Sequence, residues 1–233
     1  MSSGIAYRGE QGGLTVGIAL FDLDNTLIGG DSDYLWGCFL AERGIVDQEY
    51  YEQENQRFYD QYKAGELDIH EFLRFQLKPL AEHDMDTLNQ WRGEYIEEKI
   101  RPILLPKAQA LIDSHKAQGD LLVIITATNS FITGPIAELY GVEHLLATEP
   151  EICAGRFTGS VTDVPCFQQG KVEKLTRWID KNGETLDISW FYSDSHNDLP
   201  LLRKVTYPIA VDPDEILRQH AADHGWPVMS LRD

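Results

Sequence analysis

Cysteine is scarce in this chain. Cys38, Cys153 and Cys166 are the only three in 233 residues. Their number is odd and their spacing matches no metal-binding pair, so they read as reduced thiols in a cytoplasmic protein. Positive charge is scarce as well. Twenty Lys and Arg stand against 38 Asp and Glu, for a net charge of −18. Such a surface does not attract nucleic acid or an anionic membrane, and neither is expected as a partner. A small anionic substrate remains compatible, because a local cation can reverse the field inside a cleft. The apolar runs are short: residues 18–21 and 121–125 are far below the length needed to cross a bilayer. The N-terminal residues show no basic region leading into an apolar core, so no signal peptide is expected. Internal repeats and low-complexity linkers are absent too.

What is present begins with Ile18-Ala19-Leu20-Phe21-Asp22-Leu23-Asp24-Asn25-Thr26-Leu27. The apolar part reads as a buried strand over about 15–21. Two carboxylates stand at its carboxyl end, where an open α/β sheet places its ligand site. Alternation puts Asp22 and Asp24 on one side of the strand tip. Two adjacent carboxylates repel unless a cation lies between them, and Mg²⁺ suits an all-oxygen site.

Residues 1–13 read as a loose tail. From about 31 to 101 the apolar residues recur at helical spacing, which predicts a set of helices inserted after the first strand. The α/β pattern then resumes. Helices are predicted at 106–118, 130–140, 171–181 and 213–224, with a short one after Asp198. Strands are predicted at 121–126, 188–192 and 208–211. Short strands are expected within 145–161, and an edge strand at 228–231. This alternation predicts a doubly wound parallel sheet. The expected division is a core of 14–30 and 102–233 and a helical insertion of 31–101.

Four features fall at strand ends or helix starts. They are Asp22 with Asp24; Thr126 with Ala127, Thr128 and Asn129 after it; Lys171; and Asp194 to Asp198, which includes Asn197. Together they offer carboxylates, a hydroxyl and an ammonium. A carboxylate can attack phosphorus, and the rest of phosphoryl transfer is positioning and charge neutralisation. In this reading Lys171 and Mg²⁺ neutralise phosphate oxygens and Thr126 donates a hydrogen bond. Asp194 completes the metal shell, and Asp198 orients that shell or Lys171. Asp24 protonates the leaving oxygen and then activates water. His196 is expected to be a neutral bystander.

These motifs, in this order, resemble the haloacid dehalogenase-like hydrolase superfamily. Within it the chain is similar to the subfamily IB phosphatases that include phosphoserine phosphatase. The resemblance rests on FDLDNTL at Phe21–Leu27, IIT ending at Thr126, Lys171, and DSHND at Asp194–Asp198. It implies a Rossmann-like fold with an inserted helical C1 cap. It also implies that Asp22 is the nucleophile and Asp24 the general acid/base. Mg²⁺ would be held by Asp22, the Asp24 carbonyl and Asp194. The loop after Thr126 departs from phosphoserine phosphatase, which has glycines there. Bacterial relatives with this Thr-Ala-Thr-Asn loop are often assigned as histidinol phosphatases, which makes histidinol phosphate the leading substrate and phosphoserine the alternative. A phosphotransferase and a non-catalytic binding module are the competing functions. The intact set of motif residues argues against the module.

Ala127, Thr128 and Asn129 are expected to touch substrate, with Asp31 and Asp33. Phosphoserine phosphatases carry an acidic residue at a similar distance from the nucleophile, where it meets the substrate ammonium. Here one of the two aspartates can cap the first inserted helix while the other faces the pocket. The expected partner is a small phosphorylated metabolite, and the expected assembly a monomer or homodimer. Asp22→Asn should abolish phosphate release, because an amide cannot attack phosphorus. Asp24→Asn should retain only a fraction, since proton transfer contributes about 10²–10⁴-fold. Phosphate release by each variant checks both.

Overall fold

The structure is a computed structural model and describes residues 16–232. The tail expected at 1–13 lies outside the described residues. Strand β1 (Ile18–Phe21) is fully buried and opens the fold. Four helices follow it: α1 (Ser32–Glu42), α2 (Gln48–Ala64), α3 (Ile69–Glu82) and α4 (Met85–Tyr95). A π-helical turn at Ile96–Ile100 and a 3-10 turn at Arg101–Ile103 bring the chain back. Then come α5 (Pro106–Gln118), β2 (Leu121–Asn129), α6 (Ser130–Leu139) and β3 (His144–Thr148). After them stand β4 (Pro150–Cys153), β5 (Arg156–Val161), α7 (Gln169–Asn182) and β6 (Ser189–Ser193). The chain closes with α8 (Leu199–Leu202), β7 (Tyr207–Val211), α9 (Glu215–His224) and β8 (Val228–Met229).

Among the described residues the main sheet has six strands in the order β3-β2-β1-β6-β7-β8, and every neighbouring pair is parallel. This is the doubly wound sheet expected from the alternation. The residues read as short strands within 145–161 divide between two structures. β3 extends the main sheet, whereas β4 and β5 form a separate antiparallel hairpin. Strand β2 is longer than its apolar run and carries Thr126, Ala127, Thr128 and Asn129 at its carboxyl end. The edge strand is β8, two residues long.

Two apolar cores cover the two faces of the sheet. Alternation along β1 sends Ala19 and Phe21 into one and Ile18 and Leu20 into the other. The inserted helices join the first core through Trp36, Phe39, Leu77, Leu80 and Tyr95. The chain leaves and re-enters the sheet layer at one place. Ile28 bridges Leu104 in antiparallel fashion, and Gly29 N–H donates to the Ile103 carbonyl at 2.8 Å. Tyr140, the residue that caps the end of α6, locks this crossing. Its hydroxyl donates to the Leu27 carbonyl and accepts from Leu105 N–H.

Part of the acidic excess is used to start helices. Asp31, Asp47, Asp68, Asp84 and Asp214 each accept a backbone N–H at a helix N-cap. Gly119 ends α5 as expected, in the left-handed region at φ +85°.

A buried polar chain ties the first strand to its neighbours. Asp120 accepts Gly17 N–H at 3.0 Å and pairs with His115 Nδ1 at 2.7 Å. His115 Nε2 meets the Tyr192 hydroxyl at 2.8 Å. Replacing this imidazole by an apolar ring strips a partner from both Asp120 and Tyr192. His115→Phe should therefore lower stability by about 2–6 kcal/mol, since each stranded polar group costs about 1–3 kcal/mol. Urea unfolding of the variant against wild type checks the loss.

Candidate active site

The parallel strands place their carboxyl ends side by side, and the loops that follow carry most of the predicted residues. β1 delivers Asp22 and Asp24, β2 delivers Thr126 to Asn129, and β6 delivers Asp194 to Asp198. Lys171 comes from the first turn of α7. Its ammonium lies between two buried carboxylates, 2.7 Å from Asp22 Oδ1 and 2.8 Å from Asp198. Asp198 is held in turn by the Ser193 hydroxyl at 2.7 Å. Asp22 and Asp194 both meet the Thr26 hydroxyl, at 3.3 and 3.2 Å. Asp194 N–H also donates to Thr26 Oγ1 at 3.1 Å.

Asp24 is anchored from two sides. Ser32 N–H, at the start of α1, donates to one oxygen at 2.7 Å. The other accepts the Thr128 hydroxyl at 2.8 Å and the Thr126 hydroxyl at 3.3 Å. The Asp24 carboxylate therefore joins the sheet to the first inserted helix.

A cavity of about 110 Å³ opens above this floor. Asp22, Asp24, Thr126, Ala127, Thr128, Lys171, Asn197 and Asp198 line it from the core side. Asp31 and Asp33 line it from the start of α1, while α2 and α3 supply Asn55, Phe58, Tyr59, Tyr62, Phe72 and Gln76. Two of the predicted residues lie outside the lining. Asn129 does not line the cavity: it caps α6 through Ile132 N–H and reaches Asp33 with its amide at 3.4 Å. Asp194 lies outside the lining and shares the Thr26 hydroxyl with Asp22. His196 pairs with Asp214 at 2.7 Å and is likewise absent from the lining.

The two aspartates on α1 divide their tasks. Asp31 caps the helix, accepting Tyr34 N–H at 2.9 Å. Asp33 is 4% exposed, and the long contact from Asn129 is its hydrogen bond. No arginine lines the cavity among the described residues. Arg57 is engaged by Glu54 and Glu71, and Arg92 donates to the Phe131 carbonyl.

The electrostatics follow from burial of many carboxylates around one ammonium. Burial pushes Asp22 up to about 7; the Lys171 charge pulls against it, while Asp198 and Asp24 add to the rise. Asp24 rises to about 6 through burial and then the charge of Asp31. Asp33 and Asp194 are raised well above the carboxylate range, first by burial and then by neighbouring aspartates. Burial alone would lower Lys171, yet Asp198 and Asp22 outweigh it and hold the ammonium charged. Among the described residues no three His, Cys, Asp or Glu side chains cluster as a metal-binding set. Side chains able to join in holding a cation are the Asp22 and Asp194 pair around Thr26.

Sequence reading missed several residues that build the site. Thr26, Ser32 and Ser193 hold the aspartates, and only the folded backbone brings them there. Tyr62 on α2 donates to Ser195 Oγ at 2.8 Å, and Asn197 Nδ2 donates to the Tyr62 carbonyl at 3.2 Å. These bonds fasten the inserted helices to the loop after β6. Gln168, at φ +47°, donates to Asn197 Oδ1 at 2.8 Å. The Thr26 of the DxDxT pattern was the one legible signal among them.

Comparison with known proteins gives a consistent family. A family model described as haloacid dehalogenase-like hydrolase matches residues 19–203. A histidinol-phosphatase of Neisseria meningitidis serogroup C (strain 8013) is 42% identical over 219 residues, covering 92% of this chain and 99% of its own. A phosphoserine phosphatase of Mycobacterium tuberculosis is 28% identical over 222 residues, covering 92% of this chain and 70% of its own. Among solved structures, a Bordetella pertussis Tohama I protein of unknown function is 43% identical, with a TM-score of 0.88 over 93% of this chain and 99% of that one. A substrate-bound phosphoserine phosphatase shares the fold at 17% identity, with a TM-score of 0.70 over 94% of each chain. Among the described residues no helix is long and apolar enough to cross a membrane.

Gly170 sets the position of Lys171. A Cβ at Gly170 would lie 1.9 Å from the Pro165 carbonyl oxygen, so the start of α7 must shift to accept one. Gly170→Ala should cost about 1–3 kcal/mol of stability. It should also lower kcat more than it raises KM, because the ammonium moves with the backbone. Urea unfolding together with steady-state kinetics reads both effects.

Proposed function

The chain belongs to the haloacid dehalogenase-like hydrolases, as a phosphomonoester hydrolase, and from that premise we propose that it works through an aspartyl-phosphate on Asp22 with Mg²⁺ bound. The observation that carries the reading is the buried Lys171 ammonium held between Asp22 and Asp198 on the cavity floor, beside Asp24.

In this mechanism an Asp22 oxygen attacks phosphorus as the bond to the leaving oxygen breaks. Lys171 stands where the equatorial phosphate charge collects and offsets part of it. Asp24, raised to about 6, carries a proton in part of the population near neutral pH and gives it to the leaving oxygen. Once the alcohol departs, the Asp24 carboxylate takes a proton from water. The water oxygen attacks phosphorus, the bond to Asp22 breaks, and phosphate leaves. The Thr128 hydroxyl and Ser32 N–H fix Asp24 for both transfers. The inserted helices act as a cap that excludes water from the acyl phosphate.

The donor set fits Mg²⁺: Asp22 and Asp194 meet at one hydroxyl, and they present hard oxygen atoms. Those two side chains and the Asp24 carbonyl would hold the ion. When bound it supplies positive charge to the phosphate oxygens.

The leading substrate is histidinol phosphate. The cavity holds Asp31 and Asp33 near the phosphate site, which favours a leaving group bearing an ammonium. Phosphoserine adds a carboxylate, and the lining offers no arginine to receive it. The identity of 42% with a histidinol-phosphatase supports the same choice.

Mg²⁺ should raise the melting temperature, because it relieves repulsion among the site carboxylates. The rise should be smaller in Asp194→Ala. A melting curve indifferent to Mg²⁺ would count against this metal site. The substrate assignment is checked by kcat/KM for histidinol phosphate, phosphoserine and glycerol phosphate, in wild type and in Asp31→Asn. Asparagine keeps the helix cap and removes the charge. The order expected is histidinol phosphate, phosphoserine, glycerol phosphate, with a narrower spread in the variant. A preference for the uncharged glycerol ester, or an unchanged spread in Asp31→Asn, would sink the assignment.

A further inference from the structure

The far wall of the cavity carries two amides that the chemistry at phosphorus leaves without a task. Asn55 on α2 is 6% exposed and Gln76 on α3 is 3% exposed, and both line the cavity. The hydrogen bond they make is a long one between themselves, Gln76 Nε2 to Asn55 Oδ1 at 3.4 Å. Among the described residues, that leaves the Asn55 N–H groups and the Gln76 carbonyl oxygen free for a ligand. Burying spare amide groups is costly unless something meets them. Around them the walls are aromatic: Phe58, Tyr59 and Phe72 line the same space, and Phe58 meets Phe72 edge to face at 5.3 Å.

Helix geometry sets the distance to the charged end. A Cβ on Gly37 would lie 3.0 Å from Asn55 Nδ2, so the missing side chain is what admits the amide against α1. Gly37 follows Asp33 by four residues, on the same face of α1 and about 6 Å along it. The amides therefore stand one helical turn beyond the aspartates that would hold a substrate ammonium. Along α2, Asn55 precedes Tyr62 by seven residues, about 10 Å from the point where that helix touches the core at Ser195.

We propose that Asn55 and Gln76 are specificity residues that read a nitrogen heteroaromatic ring on the leaving group, one turn away from the aspartates that hold its ammonium. A neutral imidazole presents one N–H donor and one nitrogen acceptor. The Gln76 carbonyl accepts the first and Asn55 Nδ2 donates to the second, while the aromatic walls face the ring. A phenyl ring of similar size fills the same space and leaves both amides unpaired. Sites built to hydrogen-bond a group discriminate strongly against the analogue that lacks it. This inference rests on the amine-bearing substrate of the preceding reading and deepens it.

The test compares kcat/KM for the phosphate esters of L-histidinol and L-phenylalaninol, with glycerol phosphate as a third substrate. It uses wild type and the near-isosteric variants Asn55→Leu and Gln76→Met, each checked by thermal melting. Wild type should prefer the imidazole ester over the phenyl ester by about 10²-fold. Each variant should bring the two esters close to parity, through a higher KM for the imidazole ester. L-Histidinol should inhibit wild type competitively and more strongly than L-phenylalaninol, with that difference lost in the variants. A structural role alone would lower both esters in parallel, and that result overturns the inference. Should a variant fail to fold, the wild-type ratio decides by itself: equal handling of imidazole and phenyl also overturns it. Failure of the preceding reading looks different. There the wild type would handle neither amino ester better than glycerol phosphate, which would overturn both.

Discussion

The structure depends on how one buried ammonium is balanced against many buried carboxylates. Lys171 lies between Asp22 and Asp198, and Asp24, Asp31, Asp33 and Asp194 stand close by. An uncompensated carboxylate in such a place raises its own pKa rather than keep its charge. Asp22, Asp24, Asp33 and Asp194 are raised first by burial and then by the neighbouring carboxylates. A site in this condition gains by admitting cations. A divalent ion at Asp22 and Asp194 and an ammonium at Asp31 and Asp33 would each meet part of the need. In the proposed reaction the phosphate dianion would enter where Lys171 and the ion offset it. The same imbalance accounts for both the metal and the substrate charge in the proposed reaction.

Among the hydrogen bonds that couple the inserted helices to this floor, two stand beside its aspartates. Ser32 N–H, at the first turn of α1, holds the carboxylate of Asp24. Tyr62, near the end of α2, bonds Ser195 beside Asp194. Opening the helices away from the sheet would loosen both at once. The chain crosses between the layers where Ile28 bridges Leu104, and Tyr140 fixes that crossing from the end of α6. Movement about this crossing would expose the cavity while leaving Lys171, Asp22 and Asp198 together, since all three lie outside the inserted helices.

The net charge of −18 has two structural uses. Some aspartates open helices, as at α2, α3 and α4, where exposed carboxylates satisfy orphan N–H groups at little desolvation cost. Others converge on the cavity, where burial makes the same side chain expensive and therefore reactive. Asp31 belongs to both groups, capping α1 while lining the cavity.

The parallel α/β sheet is legible in the sequence, because each strand buried on both faces must be a short apolar run and each covering helix shows its own period. The helical insertion is legible for the same reason. The polar residues that gather at the strand ends were marked in the sequence because they fall where apolar runs stop, at Asp22, Thr126 and Asp194. Tertiary structure decided what those runs could not encode. Whether Asn129 faces a substrate or caps α6 depends on where α6 leaves the sheet. Whether residues 145–161 extend the sheet or form a hairpin depends on which strand edge is free to pair, and β3 alone found one. Asn55 and Gln76 read in the sequence as ordinary helix residues. They line one cavity through packing that no local pattern encodes: the missing side chain of Gly37 lets Asn55 on α2 sit against α1.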